Sequence, residues 1–108
     1  MDFYLLDENK KPYKVSLEES YKMYEDPAMK IVQQDKLDNG MFVSTVFLGM
    51  DHSWEIEPNH EPVLWETMIF RDLDDSGMSD IYMQRYTSYE DAIEGHKHAL
   101  ELAKSLIK

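Results

Sequence analysis

The fold of this chain is decided by residues 37–48, LDNGMFVSTVFL. Its Asn39-Gly40 pair lies between two β-rich runs, at residues 30–36 and 41–48. An Asn-Gly pair in that setting is a strong hairpin signal, because a type I′ turn needs positive φ at both central residues. The sequence therefore predicts an antiparallel β-hairpin with its turn at Asn39-Gly40.

Further β-rich runs extend this hairpin into a larger sheet. Two runs of β-branched and aromatic residues predict strands at 63–70 and 81–86, joined by the turn-rich residues 72–77. Together with the first hairpin they form a four-strand antiparallel meander. A shorter hairpin is predicted near the N terminus, where residues 3–6 and 12–15 flank a polar turn.

A short helix is predicted in the N-terminal half of the chain. Ser16 and Glu19 match a capping box, in which the serine accepts from a first-turn amide and the glutamate bonds back to the cap. Pro27 disfavours continuation of the helix, which we place at about residues 17–26. Four residues recur at helical spacing along it: Leu17, Tyr21, Tyr24 and Ala28.

A long helix is predicted over about residues 88–107. Thr87 and Glu90 match a second capping box, and the residues that follow form one apolar stripe. The stripe consists of Ala92, Ile93, His96, Ala99, Leu100, Ala103, Leu106 and Ile107. We therefore predict a single α+β domain over residues 1–108, in which the N-terminal hairpin and the four-strand meander are packed by a short helix and a long C-terminal helix.

The composition limits the classes of function. The chain has 108 residues, with 22 Asp and Glu against 11 Lys and Arg and a formal net charge of −11, yet 43% of it is hydrophobic. This is too apolar for a disordered acidic tail, so we expect a compact domain. The absence of cysteine excludes disulfides and thiolate chemistry and fits a reducing compartment. The negative charge argues against direct binding to nucleic acid or to an anionic membrane.

We also expect a soluble cytoplasmic protein. The acidic start MDFYLLDENKK lacks the basic region of a signal peptide, and no apolar run approaches the roughly 18 residues that span a bilayer.

The acids are concentrated in the middle third of the chain. Residues 51–80 carry nine Asp and Glu, and Arg71 is their single base. We expect an acidic surface here that binds a basic partner, with Trp54 or exposed tyrosines as its anchors. The residues of this surface are Trp54, Glu55, Glu57, Glu61, Asp72, Asp74 and Asp75. The alternative is that these acids only keep a small domain soluble.

A second group of residues has the chemistry of a small-ligand or metal pocket. Asp51 and His52 follow a predicted strand, Glu66 lies inside another, and His96 lies on the apolar stripe of the last helix. Carboxylates and imidazoles that converge at one end of a sheet serve as acid and base or bind a divalent metal. Alternatively these residues form a structural network, in which His96 makes internal hydrogen bonds and Glu66 pairs with Arg85 on the neighbouring strand.

Two other patterns fall short of a metal site. Residues 72–77, DLDDSG, echo a calcium loop, but its twelfth position is Met83 instead of the bidentate glutamate. His96 and His98 lie about 200° apart around a helix, so they cannot share a metal from one face. The chain contains no HExxH, no GxSxG and no phosphate-binding glycine loop. We therefore predict no catalytic residue, no metal and no cofactor.

Four segments carry a resemblance to a known family: FYLLD at residues 3–7, STVFLGMDH at 44–52, WETMIF at 65–70 and RYTSYEDAIEGH at 85–96. They resemble a family of small proteins of unassigned function from bacteriophages and prophages. The resemblance implies a phage origin and expression in a bacterial cytoplasm, and it carries no catalytic residues with it. The loop after His52, glycine-rich in many relatives, is acidic here.

These observations favour a non-enzymatic accessory protein of phage type that binds a host protein with a basic surface, such as a nucleic-acid-binding or defence protein. The alternative is a small-molecule or metal-binding protein that uses the pocket near Asp51, His52, Glu66 and His96, for example to sequester a signalling nucleotide. A homo-oligomer is compatible with either function.

Overall fold

The predicted α+β fold is confirmed. The structure, a computed structural model, describes residues 2–51, 61–73 and 77–106, and of residues 72, 73 and 77–80 it describes the backbone alone. The elements are β1 Phe3–Leu6, β2 Pro12–Val15, α1 Leu17–Ser20, α2 Lys22–Glu25, a 3-10 turn at Pro27–Lys30, β3 Ile31–Lys36, β4 Met41–Phe47, β5 Trp65–Leu73, β6 Gly77–Tyr86 and α3 Tyr89–Ser105. Strands β1 and β2 form a hairpin, and the other four form an antiparallel sheet in the order β3-β4-β5-β6.

The turn between β3 and β4 lies where Asn39-Gly40 predicted it but has a different form. Gly40 has a φ of 87°, whereas Asn39 is not among the residues with positive φ, so the turn is not type I′. The amide of Leu37 donates to the carbonyl of Met41, which leaves three residues in the loop. The Asn39 side chain accepts from the Met41 amide and donates to the carbonyls of Ala103 and Leu106 at the end of α3. This asparagine therefore fastens the hairpin to the last helix.

The predicted helix at residues 17–26 is two single turns, α1 and α2, with Tyr21 between them. Its capping box is present, since Ser16 Oγ accepts from the Glu19 amide and Glu19 Oε1 accepts from the Ser16 amide. Of the residues at helical spacing, Leu17, Tyr21 and Tyr24 are exposed, and the buried residues of these turns are Ser20 and Met23.

The long C-terminal helix begins one residue later than its predicted cap. Ser88, not Thr87, is the N-cap: its backbone is extended, and its Oγ accepts from the Asp91 amide at 3.1 Å. Strands β5 and β6 are also longer than predicted. Their pairing continues to Leu73 opposite Gly77, so only residues 74–76 lie between them and most of the predicted turn belongs to the ladder.

The core lies on one face of the four-stranded sheet, beneath α3. Two apolar clusters build it, and both take their β4 and β5 residues from odd-numbered positions. These are Met41, Val43, Phe47, Trp65 and Ile69. Because successive side chains of a strand point to opposite sides, the even-numbered residues of β4 and β5 form the other side of the sheet, which we call the outward face.

Candidate functional site

His96 is the most enclosed of the predicted site residues that the structure describes. Helix α3 places it over the middle of the sheet, where its side chain is 0% exposed. Nδ1 lies 2.6 Å from Thr45 Oγ1, and Nε2 lies 2.8 Å from Asp35 Oδ2. The Thr45 hydroxyl in turn contacts that of Thr67 on the next strand. Both ring nitrogens of His96 are therefore occupied by side chains of the sheet.

The direction of the hydrogen bonds in this network follows from its end at Asp35. A carboxylate accepts only, so Nε2 of His96 donates to Asp35, and in the neutral ring Nδ1 accepts from the Thr45 hydroxyl. The hydrogen bond from His96, and secondarily that from Gln33, holds the pKa of the Asp35 carboxyl below its usual value. The network thus runs from the buried threonines to a carboxylate that is 38% exposed.

The order Thr45, His96, Asp35 is that of a nucleophile, its base and the group that orients the base. Catalysis by such a triad requires the nucleophile to reach a substrate. Thr45 is 0% exposed, lies beneath α3, and its hydroxyl contacts Thr67. The arrangement therefore fixes the rotation and height of α3 on the sheet instead of presenting a nucleophile.

Glu66 and Arg85 lie on the outward face and bind each other. Arg85 Nε donates to Glu66 Oε2 at 2.9 Å, and the two residues are directly opposite in the β5–β6 ladder. The Arg85 side chain is 31% exposed and the Glu66 side chain is 12% exposed. Thr67, the residue next to Glu66, contacts Thr45 on the side of the sheet where His96 lies, so Glu66 points to the opposite side. The structure does not bring Glu66 and His96 into one pocket.

Asp51 has a local structural contact at the end of the sheet. Its Oδ1 accepts from the Val63 amide at 2.9 Å, and its own amide donates to the Asp2 carbonyl. This contact closes the connection between β4 and β5. His52, the remaining member of the predicted pocket, lies outside the described residues.

The predicted acidic surface is divided between the two ends of β5. Glu61 is exposed and precedes the start of that strand, whereas Asp72 lies at its far end. Nine residues of strand separate these ends by about 26 Å. Five of the predicted surface residues lie outside the described residues: Trp54, Glu55, Glu57, Asp74 and Asp75. The acidic stretches thus start from opposite ends of the sheet, a separation that the chain order of a meander already implies.

Within residues 2–51, 61–73 and 77–106, no group of three or more His, Asp or Glu side chains is placed to hold a metal ion. The calcium-like pattern continues into the β5–β6 ladder, where Asp72 is paired with Met78. His98 is exposed while His96 is buried, so the two imidazoles point to different surroundings. Sequence reasoning overlooked a cleft lined by Lys10, Lys11 and Trp65.

No family model, curated protein or solved structure matches the chain. None of the helices in the described part combines the length and apolar character needed to cross a bilayer.

Proposed function

We propose that this chain is a non-enzymatic protein-binding domain whose partner presents a basic surface. The contact surface is the outward face of the four-stranded sheet, together with the acidic stretches that adjoin its two ends. His96 and Glu66 are the described residues best suited to acid–base chemistry, and both are engaged in contacts within the fold. This supports a binding role over a catalytic one.

The observation that carries this proposal is the apolar character of the outward face. At its margins Ile31, Ile81 and Met83 are 46%, 41% and 50% exposed. Its centre is formed by half-buried residues of β4 and β5, namely Phe42, Val46, Met68 and Phe70. The rings of Phe42 and Phe70 lie side by side, with centroids 6.2 Å apart. Both apolar clusters of the described residues lie on the other side of the sheet, so this face gains no cover from them.

The charges around this face select the kind of partner. Glu66, an acid on the face, is neutralised by Arg85, while the chain as a whole carries −11. The acidic residues adjoin the face at both ends of β5. A protein with an apolar centre and basic margins complements this arrangement, whereas a second copy would bring like charges together.

The resemblance to small phage proteins indicates where the proposed partner would be found. In that setting the partner is a protein of the bacterial host, the contact forms in the host cytoplasm, and a nucleic-acid-binding or defence protein supplies the basic surface. The alternative of a ligand pocket at Asp51, His52, Glu66 and His96 has less support, since Glu66 and His96 lie on opposite sides of the sheet.

Affinity capture from bacterial lysate tests this proposal with two matched variants. Met83→Glu places a charge on the outward face, and Leu17→Glu places one on α1 at an equally exposed apolar residue. We expect the wild-type chain and Leu17→Glu to capture the same basic protein, which is released at high salt, and Met83→Glu to lose it. Circular dichroism confirms that both variants are folded.

Three results would contradict the proposal. The first is that captured protein is not released at high salt. The second is that Met83→Glu captures the same protein as the wild-type chain. The third is that the chain forms a salt-resistant dimer and that Met83→Glu dissociates it. The last result would make the outward face an interface between two copies.

A further inference from the structure

The four-stranded sheet has two edge strands, and their free edges differ. Within the described residues, β3 pairs only with β4, and β6 pairs only with β5. Strand β3 has six residues, begins with a bulge between Ile31 and Gln33, and ends in the charged residues Asp35 and Lys36. Bulges and charges of this kind hinder pairing with a further strand. The edge of β3 is therefore protected.

The edge of β6 is longer and has less of this protection. The strand has ten residues, and Ile81 is an extra residue relative to β5, so the pairing is regular from Tyr82 to Tyr86. This regular segment contains no proline and no lysine, and its single charge, on Arg85, is paired with Glu66. Alternate backbone amides and carbonyls of an edge strand point away from the sheet. Those of residues 82–86 have no strand partner among the described residues.

Apolar side chains of the outward face lie beside this free edge. Ile81 and Met83 are 41% and 50% exposed. A further strand would lie about 4.8 Å beyond β6, and its outward side chains would pack against Met83. Apolar residues at those positions of the added strand would cover this margin of the outward face.

The charge on the other side of β6 follows from how α3 lies over the sheet. Gly95 packs against the ring of the last residue of β6, and Asp91, four residues earlier, lies on the same side of the helix. Asp91 is exposed and forms no ion pair within the described structure. Lys104 acts on Asp35 of β3, and Lys97 lies two turns before it on that same side. These two lysines of α3 thus belong to the β3 side, and the β6 side carries negative charge.

We propose that the partner adds an extended segment to the edge of β6 as a fifth strand of this sheet. This inference rests on the proposed function and specifies how the partner binds. Because successive side chains of a strand point to opposite sides, the segment alternates apolar and basic residues. Its apolar side chains pack beside Met83, and its basic side chains lie on the α3 side near Asp91. Backbone hydrogen bonds to residues 82–86 give affinity, and the alternation gives specificity.

A second copy of the chain does not offer this pattern. The same segment of a second copy, YMQRY at residues 82–86, has Tyr82, Gln84 and Tyr86 on the side that would lie near Asp91. None of these residues is a base, and each copy carries a net charge of −11. The edge is therefore matched to a basic segment of another protein.

A synthetic octapeptide with four valines alternating with four lysines and with blocked ends tests the proposal. It is titrated at low salt into the isotope-labelled full chain, and proton–nitrogen correlation spectra are recorded. We expect the amide resonances of residues 82–86 to shift along a saturating curve, while those of residues 33–36 on β3 stay in place. At a peptide concentration of about ten times the Kd, alternate amides of residues 82–86 should exchange with solvent about tenfold more slowly.

Two control peptides separate backbone pairing from side-chain contact. The first carries N-methyl groups on its four central residues, which removes their backbone donors, and we expect it not to bind. The second alternates valine with glutamate and should bind at least about tenfold more weakly. In the chain, Asp91→Asn should raise the Kd for the valine–lysine peptide by about threefold. The matched control Asp38→Asn, in the β3–β4 turn, should raise it by less than about 1.5-fold. The dispersion of the amide spectrum reports whether each variant is folded.

The proposal fails if the valine–lysine peptide leaves the amides of residues 82–86 unshifted, or if either control peptide binds as tightly. It also fails if these amides shift with protein concentration in the absence of peptide, which would indicate pairing between two copies. The capture experiment reports on the outward face separately. Salt-sensitive capture that Met83→Glu loses, combined with no pairing of the peptide, would overturn the strand addition and leave the proposed function in place.

Discussion

The buried His96 network gives the sharpest test of how α3 is held on the sheet. His96→Ala removes a hydrogen bond to Thr45 and one to Asp35 and leaves a cavity where the imidazole was. The buried bond is worth about 1 kcal/mol, and the bond to Asp35 counts for less because that carboxylate is 38% exposed. The cavity adds about 1–2 kcal/mol. We therefore expect the free energy of unfolding to fall by roughly 2–4 kcal/mol.

Urea denaturation followed by circular dichroism measures this change. His98→Ala is the matched control, since His98 is exposed two residues along the same helix, and it should change the free energy of unfolding by less than about 0.5 kcal/mol. If the urea denaturation midpoint of His96→Ala equals that of the wild type, the network does not stabilise the packing of α3 on the sheet. Equal losses in the two histidine variants would also refute it, because the effect would then belong to the helix and not to the buried ring.

Three further expectations concern stability. Gly95→Ala should destabilise the fold by roughly 1–3 kcal/mol in thermal melts, because the added Cβ would overlap the Tyr86 hydroxyl; an unchanged Tm would show that the helix can shift. Asn39→Ala should cost about 2 kcal/mol in urea denaturation, since it removes the side-chain bonds between the hairpin and α3, and a loss below about 0.5 kcal/mol would contradict this tie. The hydrogen bond from His96 lowers the pKa of Asp35 in the folded protein. The stabilisation that this bond gives the fold is therefore present above about pH 4, the usual pKa of an unfolded Asp, and is lost as the pH falls through the lower pKa of the folded protein. Asp35→Asn should therefore flatten the acid side of the stability profile, and a profile parallel to that of the wild type would contradict the assignment.

The strand order and the last helix were predictable because local patterns encode them. Asn39-Gly40 marks one hairpin, and the apolar stripe of α3 continues for more than four turns. The pairing of Glu66 with Arg85 also followed from neighbouring strands in a meander. The contacts between α3 and the sheet could not be predicted from local patterns. Nothing in the sequence near His96 indicates that Thr45 and Asp35 would contact its two ring nitrogens.

Two wrong predictions, the shared pocket of Glu66 and His96 and the single acidic surface, could have been avoided from the sequence. Trp65 and Ile69 are the core residues of β5, and their odd numbering places Glu66 on the other side of the sheet from α3. In a meander, the loop before a strand and the turn after it lie at opposite ends, which separates Glu61 from Asp72. The exposure of the tyrosines in α1 and α2 had no such signal, because it depends on how two isolated turns pack through Met23.

Site-specific photo-crosslinking tests the proposed binding surface most directly. A photoreactive phenylalanine analogue at Met83 samples the outward face, and the same analogue at Leu17 samples an equally exposed surface on α1. In bacterial lysate at low salt, we predict that position 83 crosslinks to a basic protein, identified by mass spectrometry, and that position 17 does not. Crosslinking of that protein from position 17 alone, or of position 83 only to a second copy of the chain, would contradict the account.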